Sequence, residues 1–140
     1  MIREIEASNP HAVLPLLRAR AEVITIASYT RRNPTYAEYL IHGPGEGRPG
    51  KKSFEAMFHA VKDDVEQMKV VYADLSDYSH FGLLGVWNAW SILDEEERTV
   101  SWTDAPRWTS EDEFRIACAQ ANELAVAGLQ ALDQLGVALV

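Results

Sequence analysis

The stretch FEAMFHAVKDDVEQMKVVYADLSDYSH, residues 54–80, carries the pattern around which the rest of the chain is organised. Its apolar residues fall at Phe54, Phe58, Val61, Val65, Met68, Tyr72 and Leu75. Alternating steps of four and three draw one stripe along a helix, so the spacing predicts a single core helix from Phe54 to His80. A polar row opens near its end. Tyr72, Ser76 and His80 are four apart, and each step of four drifts only about 40° around a helix. Three hydrogen-bonding groups on one side of a core helix read either as a network tying it to its neighbours or as a binding site. The network is favoured, because most buried polar side chains are there to be satisfied.

Before this stretch, Asn9-Pro10 has the form of a helix cap followed by proline at the first helical position. Pro15 lacks an N–H and disturbs a helix already in progress, so the regular helix is expected to begin near Leu14. From there to Ile26 and Ala27 apolar residues occupy more than one face, the mark of a helix buried on most sides. Arg18, Glu22, Thr25 and Tyr29 follow i, i+4, i+7 and i+11 and make a separate polar stripe. It is either a solvated edge with a weak ion pair or a buried Arg-Glu pair facing Tyr72, Ser76 and His80. Asn33-Pro34 repeats the cap signal, which ends the first helix at about Arg32 and opens a short one from Pro34 to Ile41. Residues 42–52 hold four glycines and two prolines and read as a flexible linker loop. Their Gly-x-Gly spacing has no preceding strand and no Gly-Lys-Ser ending, so a phosphate loop is not implied. Ser53 is placed to cap the central helix.

Beyond His80 the helical pattern fails. Residues 82–108 hold all four tryptophans, Trp87, Trp90, Trp102 and Trp108. Alternation around a charged tip predicts a hairpin of Val86–Ile92 against Arg98–Thr103, a flap whose aromatics supply apolar area. Ser110-Glu-Asp-Glu113 is a capping box, and a periodic run continues to about Leu135. Its inner face reads Phe114, Ala117, Cys118, Ala121, Leu124, Ala125, Gly128, Leu132 and Leu135. Small residues there let another helix approach closely, inside a bundle or across a subunit contact. The expected fold is mainly α, a small helical bundle with a short β-hairpin or extended flap between the third and last helices.

At 140 residues the chain fits one domain, residues 1–140. No run of about 18 apolar residues could span a bilayer, and the charged start has no apolar signal region, so a cytoplasmic protein without membrane contact is expected. One cysteine, Cys118, excludes an internal disulfide. The net charge of −8 is uneven: residues 70–114 carry ten acidic and two basic side chains. A field of that sign repels phosphate backbones, and the basic residues are scattered, so nucleic acid is disfavoured as a partner.

Arg18-x-x-x-Glu22, Asn33-Pro34 and Tyr72-x-x-Leu75-Ser76-x-x-x-His80 together resemble a family of uncharacterised bacterial and phage helical proteins that look similar to HEPN domains. The resemblance covers Leu14 to His80. It implies an early helix bearing the Arg and Glu and a later one bearing the Tyr, Ser and His. HEPN ribonucleases use Arg followed by four to six residues and then His, and none of His11, His42, His59 or His80 has an arginine at that distance upstream. Relatives also carry a longer region before the Arg-Glu helix, and a missing helix would leave apolar surface for a second subunit to cover.

A ferritin-like site needs Glu-x-x-His on two helices, whereas Glu55 and His59 are four apart. Cys118 sits on the small-residue stripe, where a free cysteine behaves as a hydrophobe. Three functions stay open. The first is a non-catalytic interaction or ligand-binding module, expected to dimerise, with Arg18, Glu22, Tyr72, Ser76 and His80 as a buried polar network and no cofactor; its partner is a small molecule or a protein. The second is a HEPN-like enzyme acting on nucleotide or RNA through the same five residues. The third is a metal-binding bundle using Glu22, His59 and His80.

Overall fold

A computed structural model describes residues 9–65, 68–79, 90–102 and 107–139. The protein is mainly helical, a small bundle with a two-stranded antiparallel hairpin. Among the described residues the helices are α1 (Pro10–Arg32), α2 (Tyr36–His42), α3 (Phe54–Val61), α4 (Met68–Ser79) and α5 (Glu111–Ala138). Strands β1 (Trp90–Asp94) and β2 (Thr99–Trp102) lie between α4 and α5. Packing divides the chain into two compact units, residues 1–19 with 70–123 and residues 20–69 with 124–140.

In the first unit, α1 begins at Pro10 rather than near Leu14. Asn9 caps it: its Oδ1 accepts the Ala12 N–H at 3.1 Å, and its carbonyl accepts from Ala12 and Val13. Pro15 lies inside α1 without ending it. Val13, Leu14 and Leu17 are all buried, and fully burying each contributes about 1.5–3 kcal/mol, which offsets the ~3 kcal/mol cost of an internal proline. Leu75 from α4 and Ala117 and Ala121 from α5 are buried in this unit as well.

Among the described residues the hairpin forms around the expected charged tip. Trp90 pairs with Trp102, Ser91 with Ser101 and Ile92 with Val100, and a bulge then brings Asp94 opposite Thr99. Residues 86–89 and Thr103, which were expected to extend it, lie outside the described residues. The turn closes on Asp94, whose Oδ1 accepts the N–H groups of Glu96 at 2.8 Å and Glu97 at 2.9 Å. Arg98 takes the left-handed φ of 51° that leads back into β2. The Trp90 and Trp102 rings meet edge to face at 5.1 Å, yet both stay well exposed, Trp102 at 63%. Trp108 packs edge-on against Phe114, with centroids 6.0 Å apart.

In the second unit the predicted central helix is two helices. Val61 ends α3, and the chain turns through three-residue bonds, from Asp64 N–H to Val61 O at 2.8 Å and from Val65 N–H to Lys62 O at 3.3 Å. Phe58, Val61, Val65 and Met68 are nevertheless all buried, so the stripe survives the break. Arginines from the end of α1, described below, impose the turn. Tyr36 is buried at the start of α2, edge-on to Tyr29 and stacked on Tyr39, and its hydroxyl accepts the Lys52 N–H at 3.3 Å. That bond fixes the far end of the glycine-rich loop. Arg48 folds the near end back by donating to the His42 carbonyl at 3.2 Å, and Gly43 and Gly47 supply its left-handed turns at φ 72° and 74°.

The expected Asn33 cap does not form: α2 starts at Tyr36 after Thr35, and Asn33 Nδ2 donates back to the Tyr29 carbonyl at 3.0 Å, whereas both serine caps do. Ser53 Oγ accepts the Ala56 N–H, and Ser110 Oγ accepts the Glu113 N–H. Glu113 closes its half of the box one residue early, on the Thr109 N–H and hydroxyl, each at 2.7 Å. Along α5 the buried positions are Ala117, Ala121, Leu124, Gly128 and Ala131, so Leu132 lies about 60° from the middle of that stripe, at its edge, and is 53% exposed rather than inside. Gly128 faces Arg20, whose Nε donates to the Leu124 carbonyl at 3.2 Å. A Cβ at Gly128 would meet Arg20 at 3.5 Å and Ile24 at 3.7 Å, which is ordinary contact. Gly128→Ala is therefore expected to stabilise the protein by about 0.5–1 kcal/mol through helix propensity. Urea unfolding checks this, and a lowered midpoint would mean that Arg20 cannot yield.

Candidate functional site

The first unit brings together two of the five candidate residues. Arg18 projects from α1 half-buried, and its Nη2 donates to the Tyr72 hydroxyl at 3.2 Å. Its guanidinium carbon also lies 5.4 Å from the centre of the Tyr72 ring, so the same tyrosine offers an acceptor and a π face to one cation. Ser76 lies one turn further along α4, half-buried. Glu22 lies one turn after Arg18 on α1, also half-buried, and belongs to the second unit. His80 lies outside the described residues. Thr25, the next member of the predicted α1 stripe, is fully buried and satisfied locally, because its hydroxyl donates to the Ala21 carbonyl at 3.0 Å.

The strongest electrostatic cluster is in the second unit and was not among the candidates. Asp64 receives Arg32 at both carboxylate oxygens, Nε to Oδ2 at 2.9 Å and Nη2 to Oδ1 at 2.7 Å, while Arg31 Nη2 reaches Oδ2 at 2.6 Å. Arg32 Nη1 donates at 2.9 Å to the carbonyl of Ala60, one of the last-turn acceptors of α3 that has no partner within the helix. The Arg32 hydrogen bonds hold the Asp64 carboxyl below its usual range, with Arg31 adding to the effect and partial burial opposing it. Adjacent arginines at a helix C-terminus and an Asp63-Asp64 pair interrupting an apolar stripe were the sequence signals for this clamp. Nothing local says that they meet.

A cleft of about 500 Å³ in the first unit is lined by apolar residues that include Leu14, Leu75, Trp108 and Ile116 together with Asp74 and Asp112. Neither Arg18, Tyr72 nor Ser76 lines it. Asp112 and Glu113 already have a structural reason in the first turn of α5, where carboxylates complement the helix dipole. A smaller cleft of about 260 Å³ in the second unit lies beside the clamp, against Ser28, Arg31 and Asp64. Among the described residues no three His, Cys, Asp or Glu side chains converge as a metal site, and no helix is long and apolar enough to cross a membrane. His59 lies near Glu55 at 3.9 Å on the exposed side of α3. The chain matches no protein-family model, no curated protein and no solved structure.

Two measurements test these assignments. Tyr72→Phe removes the acceptor for Arg18 but keeps the ring, and should lower stability by about 0.5–1.5 kcal/mol. Tyr72→Leu should cost roughly a further 0.5–1 kcal/mol by removing the π face as well. Equal unfolding midpoints for wild type and both variants would show that the contact contributes nothing. Asp64→Asn should cost about 1 kcal/mol at neutral pH. Because the folded carboxyl titrates below its unfolded value of 3.8, its contribution is present above that pH and is lost as the pH falls through the lower folded value. The stability gap between wild type and Asp64→Asn should therefore close on acidification. A gap unchanged between pH 6 and pH 2.5 would sink the clamp.

Proposed function

We propose that this protein is a non-catalytic interaction module that self-associates as a two-fold dimer through the outer side of α5. The observation that carries this reading is the row Leu129, Leu132, Gly136 and Leu139, spaced i, i+3, i+7 and i+10, with Val126 one turn earlier. Leu129 is 67% exposed, and Val126, Leu132 and Leu139 are exposed as well. Gly136 has open space around the position a Cβ would take, so it leaves room for a second helix to come close. Contiguous apolar surface of this kind on a soluble protein marks an interaction site, and one stripe meeting its own copy satisfies the self-complementarity of a two-fold contact. In this reading Arg18 and Tyr72 hold α1 to α4 and take no part in chemistry. Their engagement with each other, outside the lining of the cleft described in their own unit, supports that role.

Light scattering at micromolar concentration should return twice the chain mass. The double variant Leu129→Glu with Leu132→Glu should return the monomer mass, with a Tm lowered only to the value the dilute wild type approaches, since both side chains are exposed within the chain. A monomeric wild type would remove the dimer from this proposal.

A further inference from the structure

The hairpin presents a second apolar surface, far in sequence from the α5 stripe and of different chemistry. Because Trp90 pairs with Trp102 and Ile92 with Val100, these four side chains share one face of the two strands. All four are exposed, at 41%, 63%, 52% and 49%. Together they offer on the order of a few hundred Å² of apolar area, the size at which exposed patches on soluble proteins become functional. The two tryptophans brace each other edge to face, so the platform is preorganised and ordering it on binding costs little.

The turn that ends this platform reads Asp94-Glu95-Glu96-Glu97-Arg98, with every residue exposed. Asp94 spends one carboxylate oxygen on closing the turn through the backbone N–H groups of Glu96 and Glu97. The glutamates themselves are not needed for that closure, because only their N–H groups take part. An aromatic face bordered by surplus negative charge is complementary to a ligand that is apolar and positively charged at once. A second copy of this acidic chain would bring like charge to the same edge, and the negative surface of a biological membrane would be repelled as well.

We infer that the Trp90–Trp102 face of the hairpin is a docking surface for a basic amphipathic segment of another protein, whose apolar side covers the tryptophans while its lysines or arginines lie against Glu95, Glu96 and Glu97. The inference extends the reading of this chain as an interaction module but uses residues that the α5 dimer does not. Aromatic anchors carry the binding energy at such surfaces, and the charged rim sets encounter rate and partner choice.

The test is fluorescence anisotropy with the full chain and a short labelled peptide of leucine and lysine patterned as an amphipathic helix, beside its leucine–glutamate counterpart. Saturable binding of the lysine peptide is expected, weakening about tenfold on raising salt from 50 to 300 mM, with no binding of the glutamate peptide. Trp102→Ser should abolish binding, and Glu95→Lys with Glu96→Lys and Glu97→Lys should weaken it by at least about tenfold. The triple lysine variant keeps Asp94 and so the turn, which makes its result independent of whether Trp102→Ser preserves the hairpin. Leu129→Glu should leave peptide binding unchanged, so loss of the dimer and loss of this surface are separate outcomes. Equal binding of both peptides, binding that survives the triple variant, loss of binding in Leu129→Glu, or capture of the chain by phosphatidylcholine vesicles would each overturn the assignment. A change in oligomeric mass caused by Trp102→Ser would assign the face to a second copy and overturn it as well.

Discussion

Asp64 is held by two guanidinium groups, and the path of the chain in its unit depends on that contact. Left to its own pattern, the segment from Phe54 onward would continue as one helix, since its apolar residues keep helical spacing through Met68 and beyond. Arg32 makes two competing demands on it: one nitrogen takes the Ala60 carbonyl at the end of α3, and two others take the Asp64 carboxylate four residues later. Both are met when the backbone tightens after Val61 into three-residue turns. A planar, forked cation can satisfy a helix end and a carboxylate together, which a lysine could not do with the same geometry. The cost of the interrupted helix is small because Val61, Val65 and Met68 remain buried on either side of the turn.

The buried threonines of α1 are settled by shorter means. Thr25 and Thr30, both buried, return their hydroxyls to carbonyls of α1 itself, Ala21 at 3.0 Å and Ile26 at 2.8 Å. Neither needs a partner element. Arg18 and Arg20 differ, because an arginine carries five donors that one helix cannot absorb. Arg18 reaches across to the side chain of Tyr72, and Arg20 reaches the backbone of Leu124. Each long side chain thus joins two helices within its own unit while lying half-buried. The small residue Gly128 leaves the space that Arg20 fills, which gives the small-residue stripe of α5 a concrete use.

Two groups of exposed apolar residues make distinct kinds of surface. On α5 they are aliphatic, long in one direction and interleaved with small residues. On the hairpin they are aromatic, compact and bordered by carboxylates. Shape and charge rather than total area separate the two: a uniform helical stripe suits a symmetric copy, whereas a charged rim selects against one. A two-stranded hairpin is marginal alone, so the edge-to-face tryptophans and the Asp94 turn also serve to hold it together.

By itself the sequence determined the helical class, the end of α1 at Arg32, the starts of α3 and α5, and the caps at Asn9, Ser53 and Ser110. Asn9, Ser53 and Ser110 act through residues two to four positions away, and so does the turn chemistry at Asp94. Such signals are legible because both partners lie within one turn of chain. That a hairpin turns around the charged tip was read in the same way from the alternation beside it, but its register was not. The site was legible only in part: the pairing of Arg18 with Tyr72 matched two polar stripes, but the Arg31, Arg32 and Asp64 clamp did not announce itself. Tertiary structure alone decided where the central helix breaks, that Pro15 is carried inside α1, and that Leu132 faces outward. In each case a contact more than thirty residues away in sequence, or the burial of neighbours, outweighed a local preference worth at most a few kcal/mol, and local pattern holds no record of which distant group will arrive.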